Sequence, residues 1–150
     1  MRSRCLLCFL TLSVAPALAQ TSASAATRTR CPADSVASRT SPHRDSLAAL
    51  ADRGWWNLEG GDLETGIAQT EAALRGGLRD PVVYYNFGIG LFLRQRPDNA
   101  LAAFSEAAQL WPECAWPWER TADILKYLGR ATEAEEARQK ASSRAPGRPF

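Results

Sequence analysis

Residues 47–148 repeat one sequence pattern three times with a period of thirty-four residues. The three registers, 47–80, 81–114 and 115–148, align without gaps. Small residues recur at three positions of the pattern, and turn residues recur at a fourth. The small positions hold Gly54, Gly88 and Ala122, then Gly66, Ala100 and Ala134, then Ala73, Ala107 and Ala141, and the turn position holds Gly61, Gln95 and Gly129. A period of this length indicates an array of similar structural units that stack on one another.

The middle register shows what one unit is. Apolar residues between Tyr84 and Phe92 recur at three- and four-residue steps, which is the period of an amphipathic helix. Residues 96–99, Arg-Pro-Asp-Asn, end that helix and begin another, because proline fits a helix start and Asp or Asn accepts hydrogen bonds from free amides. The second helix carries Phe104 and ends before Pro112. Each unit is therefore predicted to be a helical hairpin, and three stacked hairpins bury a continuous core.

The pattern resembles the tetratricopeptide repeat. The middle unit is the closest match, whereas Arg53, Asn57 and Arg138 stand in the outer units where apolar residues are usual, as in end units with one solvated face. The middle-unit residues that carry the resemblance are Tyr84, Phe87, Gly88, Leu91, Ala100, Phe104 and Pro112. The resemblance implies an all-α fold, an α-solenoid of three tetratricopeptide helical hairpins that forms a right-handed superhelix after a disordered N-terminal segment. The expected domain spans residues 45–148.

The resemblance also implies a function. Proteins similar to this one are rarely enzymes, and they hold a peptide or partner segment in the concave groove of the superhelix, which is lined by the first helix of each unit. The mixture of aromatic, amide and charged side chains expected there is typical of binding patches. The predicted partner-binding residues are Trp55, Tyr85, Asn86, Ile89, Phe92, Trp116, Arg120 and Tyr127. The alternative for the aromatic residues, above all Trp55 and Phe92, is that they pack between hairpins. We therefore expect a non-enzymatic protein-interaction module whose partner is a protein or peptide.

One known mode of groove binding is not expected in this chain. Some tetratricopeptide domains clamp the C-terminal carboxylate of cytosolic chaperones with lysines and asparagines on the groove helices. Asn86 and Arg120 fit that arrangement, but Ala51, Trp55 and Trp116 stand where its other polar residues belong. We therefore do not expect this chain to bind chaperone C-termini in that way.

A structural or assembly role is the alternative that the sequence leaves open. Residues 111–118 contain three tryptophans, Trp111, Trp116 and Trp118. If these rings are exposed, they form an apolar patch of the kind that marks an interface, and the third repeat docks another chain or a second copy of itself. If they are buried, they pack the turn between two helices.

Residues 1–19 have the layout of a secretory signal peptide. Two arginines precede an apolar stretch at 5–15, Pro16 ends that stretch, and residues 17–19, Ala-Leu-Ala, provide a cleavage site of small side chains. The apolar stretch is about half the length of the ~20 residues in a membrane-spanning helix, so an uncleaved anchor is the less favoured alternative. We expect cleavage after Ala19 and a periplasmic or secreted protein of a bacterial envelope.

Residues 20–44 are expected to form a flexible linker, because Ser, Thr, Ala and Arg dominate them and large apolar side chains are almost absent. After signal cleavage two cysteines remain, Cys31 in this linker and Cys114 at the end of the second repeat. They can form one disulfide in an oxidising compartment, and two separate thiols are the alternative. Their spacing does not match a zinc site and His43 is the single histidine, so we expect no metal or cofactor.

Charge and chemistry exclude other classes of function. The formal net charge is +2, and two of the basic residues lie in the predicted signal peptide, so the mature chain has sixteen basic and sixteen acidic residues. Proteins that bind nucleic acid or anionic lipid through charge carry a marked basic excess. The glycine pairs at 60–61 and 76–77 lie at predicted helix ends and do not resemble a phosphate-binding loop. The acidic residues of 133–136 are typical of a solvated helix face, so we expect no catalytic residues.

Overall fold

The computed structural model describes residues 42–144, and these residues form six α-helices and no strand. The helices are α1 (Pro42–Glu59), α2 (Leu63–Arg75), α3 (Pro81–Leu93), α4 (Pro97–Leu110), α5 (Trp116–Tyr127) and α6 (Ala131–Ser142). Each predicted repeat holds one pair of consecutive helices, and this confirms the predicted all-α solenoid of helical hairpins. The predicted signal peptide, residues 20–41 of the predicted linker and residues 145–148 of the third repeat lie outside the described residues.

Helix α1 begins at Pro42, inside the predicted linker and five residues before the first repeat. Proline is tolerated in the first turn of a helix because the amide that it lacks has no intrahelical partner there. Asp45 places negative charge near the positive end of the helix dipole, and the Ser46 hydroxyl donates to the His43 carbonyl at 2.7 Å. These local interactions extend the helix into the last three residues of the segment that composition assigned to the linker.

The turn inside each hairpin has the same backbone conformation. Gly61, Gln95 and Gly129 follow one another at thirty-four-residue intervals, and their φ angles are 87°, 57° and 76°. A positive φ is disfavoured for residues with a Cβ atom, which explains why two of the three positions hold glycine. The recurring turn position of the sequence is therefore the position where each chain reversal requires a left-handed residue.

Small residues bring the two helices of a hairpin close together. A Cβ atom at Gly54 would lie 2.4 Å from Oγ1 of Thr70 and 3.0 Å from the carbonyl oxygen of Gly66. A Cβ atom at Gly88 would lie 2.9–3.0 Å from three atoms of the Phe104 ring, which is buried. The predicted small positions are thus the points where the paired helices touch.

In the outer repeats, two of the polar residues that stand at usually apolar positions form contacts with other polar side chains. Asn57 of α1 donates through Nδ2 to Oε1 of Gln69 on α2 at 2.9 Å, which adds a polar contact within the first hairpin. Arg138 of α6 pairs with Glu135 at 3.4 Å on an exposed surface. Both contacts agree with end units that each have one solvated face.

Helices α1, α3 and α5 lie side by side in one layer. Gly90 of α3 approaches Leu58 of α1 so closely that a Cβ atom at Gly90 would lie 2.8 Å from the Leu58 side chain. The ring centroids of Phe92 on α3 and Tyr127 on α5 are 5.5 Å apart. We call the exposed surface of these three helices the odd-helix face.

Within residues 42–144, no helix combines the length and apolarity that a membrane crossing requires.

Replacing Gly54 with alanine is expected to destabilise the fold. The added methyl would overlap the buried Thr70 hydroxyl and press on the Gly66 carbonyl, and overpacking of this kind costs about 1–3 kcal/mol even though alanine favours helix by ~1 kcal/mol. We expect the melting temperature of Gly54→Ala to fall by several degrees in thermal unfolding followed by circular dichroism. Arg53→Ala, the exposed neighbour on α1, should change it little, and equal melting temperatures for the two variants would contradict this packing.

Candidate functional site

Arg120 lies on the odd-helix face and has polar contacts with two neighbouring side chains. Its Nε donates to the Tyr85 hydroxyl of α3 at 3.1 Å, and its Nη1 pairs with Oδ2 of Asp123 at 3.2 Å. The hydrogen bond with Tyr85 is the main cause that raises the pKa of Arg120, and the carboxylates of Asp123 and Glu119 raise it further. The guanidinium therefore stays charged, and because its side chain is largely exposed, part of its set of five N–H donors is available to a ligand.

Asn86 presents a hydrogen-bond acceptor without a donor. It follows Tyr85 on α3, it is half-buried, and its Oδ1 atom is buried with no hydrogen-bond partner in the described structure. Buried polar atoms are rarely left unpaired, and an unmade hydrogen bond of this kind costs about 1–3 kcal/mol. Because the residue is only half-buried, rotation of its side chain toward the surface would let this acceptor bind the backbone amide of an extended ligand.

Two of the predicted groove aromatics lie below the surface. Tyr85 is 6% exposed and Trp116 is 7% exposed. The Tyr85 ring packs edge-on against Phe104 at 5.4 Å and lies 6.0 Å from Trp116, which in turn packs against Trp111 at 6.3 Å. These rings fill the junction between the second and third hairpins, so little of either ring is open to a partner. Their part in partner binding stays a prediction.

Phe92 and Tyr127 form an aromatic pair that is open to solvent on the side of Tyr127. The two rings meet edge-on with an interplanar angle of 89°, and Tyr127 is 63% exposed. Leu93, next to Phe92, is 53% exposed. The Tyr127 hydroxyl donates to Oε1 of Gln95 at 3.3 Å, which links the ring to the turn after α3. An apolar side chain of a partner therefore has a contact surface at this end of α3 and α5.

The other two predicted residues, Trp55 and Ile89, are less exposed than Tyr127. Sequence reasoning also missed two exposed apolar residues, Trp56 and Leu93. Trp55 of α1 and Ile89 of α3 are half-buried and pack against the core. Trp56 is 68% exposed, and no recurring position of the pattern pointed to it. Leu93 was also missed, although it stands thirty-four residues before Tyr127 and that column could have indicated it.

The tryptophans of residues 111–118 pack inside the protein. Trp111 and Trp116 are buried, and Trp118 is half-buried beneath two cations, with Nζ of Lys140 4.7 Å and the guanidinium of Arg144 5.1 Å from its ring centroid. They pack the turn between α4 and α5, which is the second of the two arrangements that the sequence allowed. The assembly alternative therefore loses the exposed patch on which it was based.

Cys114 lies in the turn between α4 and α5, where it is fully buried and disulfide-bonded. Cys31, its predicted partner, lies outside the described residues, so the pairing of these two cysteines stays a prediction. Within residues 42–144, no three His, Cys, Asp or Glu side chains come together as a group that could hold a metal ion.

Solved structures with this helical arrangement include tetratricopeptide domains. The chain is similar to a point mutant of MamA, with a TM-score of 0.62 and 19% identity over 66% of this chain and 72% of that one. It is similar to the second TPR of Spaghetti (RPAP3) bound to the HSP90 peptide SRMEEVD, with a TM-score of 0.60 and 16% identity over 65% and 91% of the two chains. The Sgt2 TPR domain from Aspergillus fumigatus gives a TM-score of 0.59 and 17% identity over 71% and 70%.

These similarities show the fold of the chain, which is a solenoid of tetratricopeptide-like hairpins. The sequence matches no protein-family model and has no significant match among curated proteins. The fold was therefore recognisable from the recurring positions of the pattern and from the structure, while the chemistry of the odd-helix face has to be judged from its own residues.

Replacing Trp116 with alanine is expected to lower the unfolding free energy, because the ring is part of the core. Removal of a buried aromatic side chain costs about 3–5 kcal/mol of unfolding free energy. Tyr127→Ala removes an exposed ring and is expected to cost less than about 1 kcal/mol. Urea unfolding of the two oxidised variants measures the difference, and similar midpoints would show that Trp116 is not part of the core.

Proposed function

We propose that this protein binds an extended peptide, or an extended segment of a partner protein, on the odd-helix face and catalyses no reaction. The observation that carries the proposal is the buried, unpaired Oδ1 atom of Asn86, an acceptor that a ligand backbone amide would satisfy once the half-buried side chain rotates toward the surface. Arg120 adds a charged donor on the neighbouring helix, and the exposed ring of Tyr127 adds apolar surface. Backbone recognition, one charged contact and one apolar anchor together are the elements of a peptide site.

The comparison with RPAP3 supports the proposal, because a domain of similar fold was solved with a bound HSP90 peptide. We do not propose that ligand for this chain. Ala51, Trp55 and Trp116 occupy the positions where the polar residues of a chaperone clamp are expected. Asp123 already pairs with Arg120, and Glu119 lies nearby, so an acidic peptide would meet like charge. The apolar end near Tyr127 favours a ligand with an aliphatic or aromatic side chain.

The proposal is tested with short random peptides displayed on phage and selected against the folded protein. Asn86→Leu removes the acceptor, and Tyr127→Ala removes the apolar contact. Each change is expected to weaken binding of the selected peptides about tenfold, since one lost hydrogen bond or buried contact is worth ~1.4 kcal/mol or more. Affinities are measured by fluorescence anisotropy on synthetic copies of the selected peptides.

The control for this experiment lies on the opposite layer of helices. Ser105→Ala changes an exposed residue of α4 and should leave peptide affinity unchanged. Circular dichroism shows whether each variant keeps its helical content. Selected peptides that bind Asn86→Leu and Tyr127→Ala as tightly as the original protein would place the binding surface elsewhere and overturn the proposal.

We further propose that the protein is exported to the periplasm or secreted. The support is the layout of residues 1–19, in which two arginines, an apolar stretch and small residues before Gln20 follow one another. The disulfide at Cys114 agrees with this location, because such bonds persist in oxidising compartments and are rare in the cytosol.

Mass spectrometry of the protein recovered from periplasmic extract tests the export proposal. With free thiols alkylated before digestion, we expect an N-terminal peptide that begins at Gln20 and a disulfide-linked pair of peptides that contain Cys31 and Cys114. A chain that begins at Met1 in the membrane fraction would indicate an uncleaved anchor. Alkylation of both cysteines would show that the two thiols are separate.

A further inference from the structure

An open cleft of about 530 Å³ lies between α5 and α6. Small side chains, among them Ala122 and Ala141, line its inner part, and charged side chains line its rim. Glu119 and Asp123 stand on the α5 side, and Arg138 and Arg144 stand on the α6 side. A ligand in this cleft therefore meets acidic side chains on one wall and basic side chains on the other.

The corresponding cleft of the second repeat is filled by the next hairpin. The repeat positions of three cleft residues, Glu119, Ala122 and Arg138, are occupied in the second repeat by Tyr85, Gly88 and Phe104. These three residues are buried. Trp116 of α5 packs against Tyr85. An apolar helix in the third cleft would instead bury the charges of Glu119 and Arg138, which is costly without partners. The third cleft is thus better matched to a polar segment that carries charge.

We propose that residues 27–30 of this chain, Thr-Arg-Thr-Arg, occupy the α5–α6 cleft and are held there by a disulfide between Cys31 and Cys114. Cys114 is disulfide-bonded and immediately precedes Ala115, which lines the cleft. No other cysteine occurs within residues 42–144, so the bonding partner comes from outside this range. Cys31 is the one cysteine outside it that does not belong to the predicted signal peptide.

The start of α1 and the turn that holds Cys114 lie at the same edge of the solenoid. Consecutive helices alternate in direction, so the first residues of odd helices lie beside the last residues of even ones. Leu47 near the start of α1 contacts Gly76 at the end of α2. Arg144 after α6 donates through Nε to the carbonyl of Pro112 in the α4–α5 turn at 2.7 Å. A segment that joins Cys114 to α1 therefore runs along one edge and does not cross the helices.

The connecting segment is long enough for this path. Ten residues, 32–41, separate Cys31 from Pro42, and an extended chain spans about 3.3–3.6 Å per residue, which gives a reach of roughly 35 Å. Helices α1 and α5 are separated by α3, and packed helices lie about 8–10 Å apart. The reach exceeds the separation, so the bond can form within one chain.

Residues 27–30 are basic, and the cleft has one carboxylate without an ion pair among the described residues. Residues 27–30 carry Arg28 and Arg30 and no acidic residue. Among the four charged lining residues, Glu119 forms no ion pair within the described residues, whereas Asp123 pairs with Arg120 at 3.2 Å. Arg138 pairs with a glutamate of its own helix at 3.4 Å, and Arg144 donates to the Pro112 carbonyl and lies over the Trp118 ring. The carboxylate of Glu119 is therefore available to one of the two arginines, and Arg138 and Arg144, which already contact other groups, oppose the segment less than free cations would.

Docking of the segment and formation of the disulfide are linked. Two protein thiols give one disulfide by exchange with glutathione disulfide, which takes up the two electrons and two protons and becomes two molecules of glutathione. Contacts that hold residues 27–30 in the cleft bring Cys31 close to Cys114 and so favour the protein disulfide. By linkage, weakening those contacts lowers the equilibrium yield of the bond.

The experiment equilibrates the full chain in mixtures of reduced and oxidised glutathione and measures the fraction of Cys31–Cys114 disulfide by alkylation and mass spectrometry. The double variant R28E/R30E is expected to lower the equilibrium constant for the bond about threefold or more, as expected for the loss and reversal of exposed ion pairs. Adding Glu119→Lys to that variant should restore most of the loss. Glu136→Lys, an exposed residue of α6 that does not line the cleft, is the matched control and should change nothing.

Three results would overturn the proposal. The first is an equilibrium constant that R28E/R30E leaves unchanged, or a loss that Glu119→Lys does not restore. The second is a disulfide between two chains, seen as a covalent dimer without reductant, because it would assign the cleft to a second copy. The third is an oxidised protein in which Cys31 is not bonded to Cys114. Peptide binding on the odd-helix face is measured separately, so failure of either proposal leaves the other testable.

Discussion

The close approach of paired helices at their small residues is the constraint on which the rest of the structure depends. Because a side chain at Gly54 or Gly88 would overlap Thr70 or Phe104, the helices of each hairpin meet at a fixed point and angle. Larger rings then fill the space beside that contact. The same contact returns every thirty-four residues, so each hairpin presents its first helix on the same side. This is why α1, α3 and α5 form one layer, and the proposed binding surface exists only through that layer.

The fold could be predicted from sequence because its determinants are local and recur. The turn position is the clearest example, since Gly61, Gln95 and Gly129 were grouped by spacing alone and all have positive φ. The start of α1 was not predicted, because composition averages over many residues. Pro42 and Asp45 act individually at a helix end, and a polar segment that contains them can still be helical.

The candidate site could be predicted in part, for a different physical reason. The resemblance to tetratricopeptide repeats indicated which helices line the groove, and it placed Asn86, Arg120 and Tyr127 on the first helices of their units. It does not show how far a ring from another repeat covers a residue. Tyr85 and Trp116 lie thirty-one positions apart and bury each other, so their low exposure follows from a contact between hairpins that no single-helix pattern contains.

The third repeat shows how a few substitutions divide one repeating surface into two kinds of site. A further hairpin packed on α5 and α6, as the third packs on the second, would bury Glu119 and Arg138 where Tyr85 and Phe104 make the earlier junction apolar. These charges disfavour helix stacking at the cleft and favour a hydrated, charged segment there. The odd-helix face keeps both apolar and polar groups, with Tyr127 exposed and the Asn86 acceptor unpaired. The two proposals therefore place recognition of an extended partner on that face and a segment of the chain itself in the α5–α6 cleft.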